Sequence, residues 1–303
     1  MKRYCINLDC SEHQSQHLEG TTSGRVSKKG TFYRLCDRRY IQRFKCRVCN
    51  TQFSKATFDV DYRQHRREIN SKLFLYLASG VTQRRSAILL TANRKTIARK
   101  LRILGARARA DHEEWLEERF QASSIGHIQF DDLETSEHTK CKPLSVTLAV
   151  RNKSREILDF QVSRMPAKGP LSKIARKKYG KRKDERHSGW TQLFLNLKPL
   201  LHAEAVFESD ENPHYPKHLR KHFPMAKHIR HKGARGAISG QGELKKQKYD
   251  PLFSLNHTCA MLRANINRLF RKTWSTTKKI EGLVDHLWIY VRVHNTLLVN
   301  HDF

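Results

Sequence analysis

The amino-acid sequence predicts a multidomain protein of mixed α+β and α/β class, 303 residues long. Cysteines at short spacings in the first 49 residues indicate a small metal-stabilised module. Apolar residues then repeat at helical spacing, and after residue 124 they alternate as in β-strands. These changes divide the chain into a cysteine module (1–58), a helical module with a linker helix (59–123) and a larger domain of strands and helices (124–303).

The charge balance of the chain predicts a polyanionic partner. Lys and Arg number 59 against 29 Asp and Glu, which gives a formal net charge of +30. So much like charge favours a surface shared with nucleic acid, although a membrane-surface or ribosome-associated protein would carry a similar charge. No apolar run approaches the roughly 20 residues of a membrane span, and the N-terminus lacks the apolar centre of a signal peptide. We therefore expect a cytoplasmic protein with no membrane partner.

The N-terminal cysteines predict a structural zinc site. Cys5 and Cys10 form one pair, Cys46 and Cys49 form a tighter pair, and four thiolates satisfy tetrahedral zinc. The aromatic and β-branched residues between the pairs suit the strands of a zinc ribbon. In a cytoplasmic chain this spacing favours metal over disulfides, and reduced thiols without metal are the alternative. Further candidate ligands are Cys36, His13 and His17.

Helical spacing begins at Ile69. The first helix is predicted to end at Gly80, and Thr82 can cap a short second helix through Leu89. A tight turn over residues 90–93 then leads to a third helix.

The third helix is predicted to run from Arg94 to Leu104 and to end at Gly105, before an acidic linker helix. With the helix before it, it forms a predicted helix-turn-helix, and a basic helix of this kind suits the major groove of DNA. A helical hairpin with a solvated basic face is the alternative. The residues predicted to remain outside are Arg94, Lys95, Thr96, Arg99, Lys100 and Arg102.

The last domain contains five predicted strands. In order they are "HIQFDD", "KPLSVTLAVRN", "REILDFQVSR", "AEAVFESD" and "AKHIRHKG". A turn at 152–154 joins the second strand to the third. A basic segment, 164–186, and an amphipathic helix in "GWTQLFLNLKPLLH" separate the third strand from the fourth. This order predicts a ribonuclease H-like fold, in which helices flank a mixed sheet.

Two of these strands end in acidic residues. Asp131 and Asp132 end the first strand, and Asp210 ends the fourth. If the two strands are neighbours, Asp131 and Asp210 come close together and repel each other unless a cation is present. Carboxylate oxygens suit Mg²⁺ or Mn²⁺, which can hold a phosphate and activate the attacking oxygen. The alternative is that these aspartates are only turn residues.

Several motifs resemble those of bacterial insertion-sequence transposases of the DDE type. They are "FDDLE", "FESDENPHY" and "LNHTCAMLRANINRLFRKTWSTTKKIEGL", preceded by the predicted ribbon and helix-turn-helix, so that the resemblance covers most of the chain. The resemblance implies metal-dependent cleavage of DNA at element ends, followed by strand transfer into target DNA. It also implies double-stranded DNA and a homo-oligomer as partners, Mg²⁺ or Mn²⁺ as cofactor, and a prokaryotic, nucleoid-associated location.

The resemblance implies roles for single residues. The first acid of the family falls on Asp131 and the second on Asp210, with Asp132 on the other side of its strand. The third, normally Glu, falls on Asn256, whose carbonyl oxygen can still ligate Mg²⁺ with one negative charge fewer. Further candidates in the preceding loop are Glu243 and Asp250.

Cations follow Asn256 along the chain. Arg263 lies seven residues later, on the same helix face, where it can contact phosphate. Arg271 and Lys272 are expected to hold the DNA backbone, and His257 is an alternative metal or phosphate neighbour. Because Asn256 departs from the family pattern, a catalytically inactive DNA-binding regulator derived from a transposase is the second hypothesis. A structure-selective nuclease that cuts branched DNA is the third.

Overall fold

The computed structural model describes residues 4–14, 25–35, 38–58, 62–120, 124–232, 249–270 and 274–299. The chain forms two compact units, Met1–Ser71 and Lys72–Phe303. From Lys72 onward, the predicted helical module belongs to the same unit as the larger sheet. Within the described ranges, no helix combines the length and the apolar character needed to cross a bilayer.

The first unit contains a small antiparallel sheet. Its elements are α1 Ser11–Gln14, β1 Val26–Arg34, β2 Arg39–Cys46 and β3 Gln52–Ser54, with the strand order β1-β2-β3. Phe44 and Phe53 contact each other at a tilt, with ring centroids 5.7 Å apart, and they share their buried cluster with Val26 and with cysteines. So small a cluster buries little apolar surface, so a bound metal or other cross-link would add to the stability of the unit.

The chain from residue 70 onward combines helices with a five-stranded sheet. The strands are β4 Ile125–Ser136, β5 Pro143–Arg151, β6 Ile157–Arg164, β7 Leu201–Asp210 and β8 Lys227–His231. The helices are α2 Asn70–Ala78, α3 Gln83–Leu89, α4 Arg94–Arg119, α5 Leu171–Tyr179, α6 Arg186–Leu197, α7 Tyr215–His222, α8 Phe253–Asn265 and α9 Ile280–Val293.

The first helices begin and end where the sequence predicts. α2 ends just before Gly80, whose φ of +75° favours glycine. Thr82 Oγ1 accepts a hydrogen bond from the N–H of Arg85 at 3.2 Å and so caps α3. Asn93 Oδ1 does the same for the N–H of Lys95, at 2.8 Å, at the start of α4. Local capping chemistry therefore fixes these boundaries.

The sequence predicts that α4 ends at Gly105. This prediction is wrong, because the helix continues to Arg119. A Cβ atom at Gly105 would lie 2.5 Å from Cβ, 2.6 Å from Cα and 2.8 Å from the carbonyl oxygen of Asp285 in α9. The glycine therefore allows two helices to pack closely, and it does not act as a helix terminator. This is a tertiary requirement that local sequence patterns do not reveal.

The larger sheet is mixed, with the strand order β6-β5-β4-β7-β8. β4, β5 and β6 form an antiparallel meander, whereas β7 runs parallel to β4 and β8 runs parallel to β7. The predicted mixed sheet with flanking helices is confirmed at this level. The basic segment between β6 and α6 contains the short helix α5.

Helices cover both faces of this sheet. On one face Phe130 of β4 packs against Phe194 of α6 and Tyr215 of α7, with centroid distances of 5.4 and 4.8 Å. On the other face Gln129, the preceding residue of β4, hydrogen-bonds to α8. Because successive strand residues point to opposite faces, α6 and α8 lie on opposite sides of β4.

Candidate functional site

Four cysteine thiols of the first unit form a candidate metal centre. Cys5 Sγ lies 3.4 Å from Cys49 Sγ, Cys10 Sγ lies 3.9 Å from Cys46 Sγ, and all four sulfurs lie within 4.8 Å of one another. Among the described residues these four cysteines form a group of His, Cys, Asp or Glu side chains close enough together to hold a metal ion such as zinc. His13, an alternative ligand in the sequence, instead has its Nδ1 2.7 Å from the carbonyl oxygen of Cys5.

The thiols of this group are chemically unequal without a cation. Burial raises the pKa of Cys5 to about 12, and burial also raises that of Cys10. Hydrogen bonding with Thr51, whose Oγ1 lies 3.1 Å from Cys49 Sγ, lowers the pKa of Cys49 to about 6. Metal binding replaces thiol protons, and a bound cation would offset the charge of thiolates that burial otherwise disfavours. The donor set fits Zn²⁺, with a structural role.

We expect one zinc ion per chain in protein purified without chelator. Cys46→Ser should lose the zinc, because a hydroxyl is a poor replacement for a thiolate ligand. Cys141→Ser, which changes a cysteine outside the group, is the matched control and should retain it. Elemental analysis of the three proteins is the measurement, and wild-type protein with no bound metal would remove the zinc assignment.

The predicted neighbours β4 and β7 do pair, and they bring two acids together. Ile128 lies opposite Phe207 and Gln129 lies opposite Glu208. Continuing this register by two residues places Asp131 beside Asp210. Burial, together with repulsion from Asp210, raises the pKa of Asp131 to about 7. The two carboxylates therefore interact, at a position where a proton or a cation must offset their charge.

Asp131 does not end its strand, in contrast to the prediction. β4 extends to Ser136, because its pairing with β5 continues as far as Ser136 opposite Pro143. β7 does end at Asp210, as the sequence predicts. Asp131 consequently lies in the middle of β4, beside the carboxyl end of its parallel neighbour. The candidate site is thus held on one side by a continuous antiparallel hairpin.

Hydrogen bonds fix both acids. Asp131 Oδ1 accepts from the hydroxyl of Tyr215 at 3.1 Å and from the N–H of Asp132 at 2.7 Å. Asp210 Oδ1 accepts from the N–H of Asn212 at 3.0 Å. Tyr215 lies in the motif "FESDENPHY" but was not assigned a role from sequence. Its position five residues after Asp210, at the start of α7, was the available signal.

Asp132 points away from this pair, as the strand alternation predicts. Its Oδ1 accepts from Trp190 Nε1 of α6 at 3.1 Å and from the hydroxyl of Thr147 in β5. Trp190 belongs to α6, and Thr147 belongs to the neighbouring strand β5. Of the two adjacent acids, Asp132 therefore faces α6, and Asp131 is the one that lies beside Asp210.

Gln129 joins the candidate site to α8, and sequence reasoning missed it. Its side chain, 1% exposed, donates from Nε2 to Glu208 Oε2 at 2.6 Å and to the carbonyl oxygen of Pro251 at 2.8 Å. Its Oε1 accepts from the N–H of Leu255 at 3.0 Å. One buried amide thus links β4, β7 and the start of α8. A polar residue two positions before Asp131 in an apolar strand was the only sequence signal.

One face of α8 is turned towards Asp131. A groove of about 620 Å³ runs along this face. Burial, together with the nearby Asp131 carboxylate, raises the pKa of Cys259 in the groove to about 12, while Arg263 acts in the opposite direction. The thiol of Cys259 therefore lies close enough to both Asp131 and Arg263 to interact with their charges. The residues that line the groove are Asn256, Cys259, Ala260, Arg263, Ala264 and Phe270.

Asn256 is exposed and is oriented by an acid. Its Nδ2 donates to Asp250 Oδ2 at 2.9 Å, and Asp250 Oδ1 accepts from the N–H of Leu252 at 2.9 Å, near the start of α8. The contact with Asp250 uses the amide nitrogen of Asn256 and not its carbonyl oxygen. The alternative neighbour His257 has its Nδ1 3.1 Å from Arg155 Nη1.

The predicted DNA-facing residues of α4 are not all exposed. Arg94, Lys95 and Arg99 are exposed and Thr96 is half-buried. Lys100 is 3% exposed, so the prediction that it points outward is wrong. It lies three residues after Ile97 and four before Leu104, on the inward face of the helix. Arg102 is exposed but forms an ion pair with Asp285 of α9 at 2.6 Å.

Some predicted residues lie outside the described parts of the chain. They are Arg271 and Lys272, expected on the DNA backbone, Glu243, a further candidate for the third acid, and Cys36 and His17, further candidates for zinc.

Comparison with known proteins assigns the chain to no family. No protein-family model matches the chain, and no curated protein sequence matches it. The functional proposal therefore depends on the motifs of the sequence and on the arrangement of Asp131, Asp210 and α8.

Proposed function

We propose that the protein is a transposase that catalyses metal-dependent cleavage and strand transfer of DNA at the ends of an insertion sequence. The observation that carries the proposal is the pair Asp131 and Asp210 on adjacent parallel strands, with the pKa of Asp131 raised to about 7. A net charge of +30 supports DNA as the partner. The strand order, three antiparallel strands followed by two parallel ones, supports a ribonuclease H-like domain.

The donor set fits Mg²⁺ or Mn²⁺. Asp131, Asp210 and the carbonyl oxygen of Asn256 would hold the cation, since hard cations take carboxylate and amide oxygens. When bound, the cation supplies charge neutralisation at phosphate and a lowered pKa for water. Tyr215 holds Asp131 in place through its hydroxyl. Gln129 holds the start of α8 against both strands.

The residues of α8 have separate tasks in this proposal. Asp250 fixes the amide of Asn256 so that the oxygen remains available. With one negative charge fewer than a site of three acids, the site should bind its cation more weakly. Arg263, on the same face of α8, would contact the phosphate. The exposed start of α4 would contact the DNA duplex, and a homo-oligomer would pair two element ends.

The test is metal-dependent nicking or strand transfer on DNA that carries the inverted repeats flanking the gene. Asp131→Ala and Asp210→Ala should each abolish turnover, because each removes a charge needed to hold the cation, while DNA binding persists. Asp111→Ala, in α4 and outside the site, is the matched control and should leave turnover unchanged. Undiminished turnover in both site variants would remove the catalytic assignment.

A second candidate function is a DNA-binding regulator without catalysis, which Asn256 favours. The same assay distinguishes it. An inactive wild type that gains cleavage on Asn256→Glu would support the regulator, whereas an active wild type supports the transposase. Cleavage of branched DNA without the terminal repeats would instead indicate a structure-selective nuclease.

A further inference from the structure

Two strands of the first unit form a basic two-stranded arm. We call residues 28–34 of β1 and 39–43 of β2 the β-arm. Tyr33 lies opposite Tyr40, and Thr31 lies opposite Gln42. All of residues 28–33 in β1 are exposed, although the start of the same strand is buried at Val26. The β-arm is therefore a hairpin whose β1 strand faces solvent over most of its length.

The β-arm and its flanking residues carry almost only positive charge. Residues 25–47 contain nine Lys and Arg and a single acid, Asp37. Nucleic-acid phosphates are the polyanion that such a surface fits, because each contact releases counterions. The exposed cations in and beside the β-arm are Lys28, Lys29, Arg38, Arg39 and Arg43.

Two exposed tyrosines distinguish this surface from a merely charged one. Tyr33 is 47% and Tyr40 73% exposed, and their rings meet edge to face with centroids 5.1 Å apart. Cations on the edge strand β1 would also prevent pairing with other sheets. That role does not require an aromatic pair in solvent, nor a cation such as Arg43 on the central strand β2. A ring with a hydroxyl suits contact with sugars, thymine methyl groups and phosphate oxygens.

We propose that the β-arm is a second DNA-binding surface, which lies in a groove of duplex DNA. A two-stranded β-ribbon fits the major groove. Lys28, Lys29 and Arg43 contact phosphates, and Tyr33 and Tyr40 contact the groove wall. The inference rests on the proposed function for its choice of DNA as the polyanion, but it does not depend on the cleavage chemistry.

Two sets of substitutions in the full, zinc-loaded chain test it without added magnesium. Replacing Lys28, Lys29 and Arg43 by Gln should reduce the slope of log affinity against log salt by about 0.9 for each phosphate that is no longer neutralised. Replacing Tyr33 and Tyr40 by Ser should weaken duplex binding several-fold with an unchanged slope. The matched control replaces Lys198, Lys217 and Lys221, three exposed lysines of the second unit, by Gln. An equal change in slope in both charge variants would mean that net charge alone matters, and would overturn the proposal.

Chemical acetylation of the wild-type chain gives a second measurement that needs no variant to fold. Duplex DNA should protect Lys28 and Lys29, but not Lys217 and Lys221. Unprotected β-arm lysines in the DNA complex would overturn the inference, as would protection by RNA alone. A protected β-arm in a chain that cleaves no DNA would retain the inference and remove the transposase. Cleavage of DNA by a chain with an unprotected β-arm would retain the transposase and remove the inference about the β-arm.

Discussion

Asp131→Asn is expected to abolish metal-dependent DNA cleavage and, at the same time, to stabilise the metal-free protein at pH 8. Burial, together with Asp210, raises the pKa of Asp131 to about 7 from its ordinary 3.8. Folding at pH 8 therefore forces an ionised carboxylate into a place that disfavours its charge. At about 1.36 kcal/mol per pKa unit, the neutral amide should raise the free energy of unfolding by at most about 4 kcal/mol.

The pH dependence of this gain has a definite sign. A carboxyl group whose pKa is higher in the folded state binds more protons when folded than when unfolded. Its contribution to stability is therefore lost as pH rises from about 4 to about 7, the two pKa values, and is level outside that window. The advantage of Asp131→Asn should be largest above pH 7 and should vanish below about pH 4. Thermal melting of both proteins at pH 8, 6 and 4 measures it.

Added magnesium separates the two consequences. Mg²⁺ should raise the Tm of the wild type, because a ligand that binds only the folded state stabilises it, and it should leave Asp131→Asn unchanged. Asp132→Asn is the matched control. Asp132 accepts hydrogen bonds from Trp190 and Thr147, so its replacement should not stabilise the protein. If Asp131→Asn lowered the Tm at pH 8 and left cleavage intact, Asp131 would be a structural residue.

Local chemistry explains why much of the secondary structure follows from the sequence. Gly80 has a positive φ, Thr82 caps α3, and the β-branched and apolar residues of β5 form the predicted strand. Each of these features depends on residues a few positions apart. The zinc prediction for Cys46 and Cys49 likewise depends on a short spacing. The pairing of β4 with β7 joins residues about 79 positions apart, and the sequence offers it only as a condition.

The features that sequence reasoning missed depend on residues far apart in the chain. Gln129 acquires its role only when Pro251 and Leu255 arrive more than 120 positions later. The burial of Lys100 depends on which side of α4 meets the rest of the unit. Long-range packing decides between equally regular local patterns, so periodicity alone could not resolve these cases.

Gly105→Ala is expected to destabilise the second unit, although alanine normally favours a helix. The added Cβ would lie 2.6 Å from the Cα and 2.8 Å from the carbonyl oxygen of Asp285. Backbone atoms cannot yield as a flexible side chain can, so α4 and α9 must move apart. Overpacking of this kind costs about 1–3 kcal/mol, which corresponds to a fall in Tm of roughly 2–4 °C for each kcal/mol in a unit of this size.

Gly282→Ala is the matched control, because Gly282 also lies inside a helix, α9. A Cβ there would meet Arg268 Nη1 at 3.5 Å, an ordinary contact with a side-chain end. It should therefore stabilise the protein by about 0.5–1 kcal/mol, the usual gain of alanine over glycine in a helix. Opposite signs at the two glycines, measured by denaturant unfolding, would identify close helix packing as the reason for Gly105. A neutral or stabilising Gly105→Ala would mean that α4 and α9 are not held at this distance in solution.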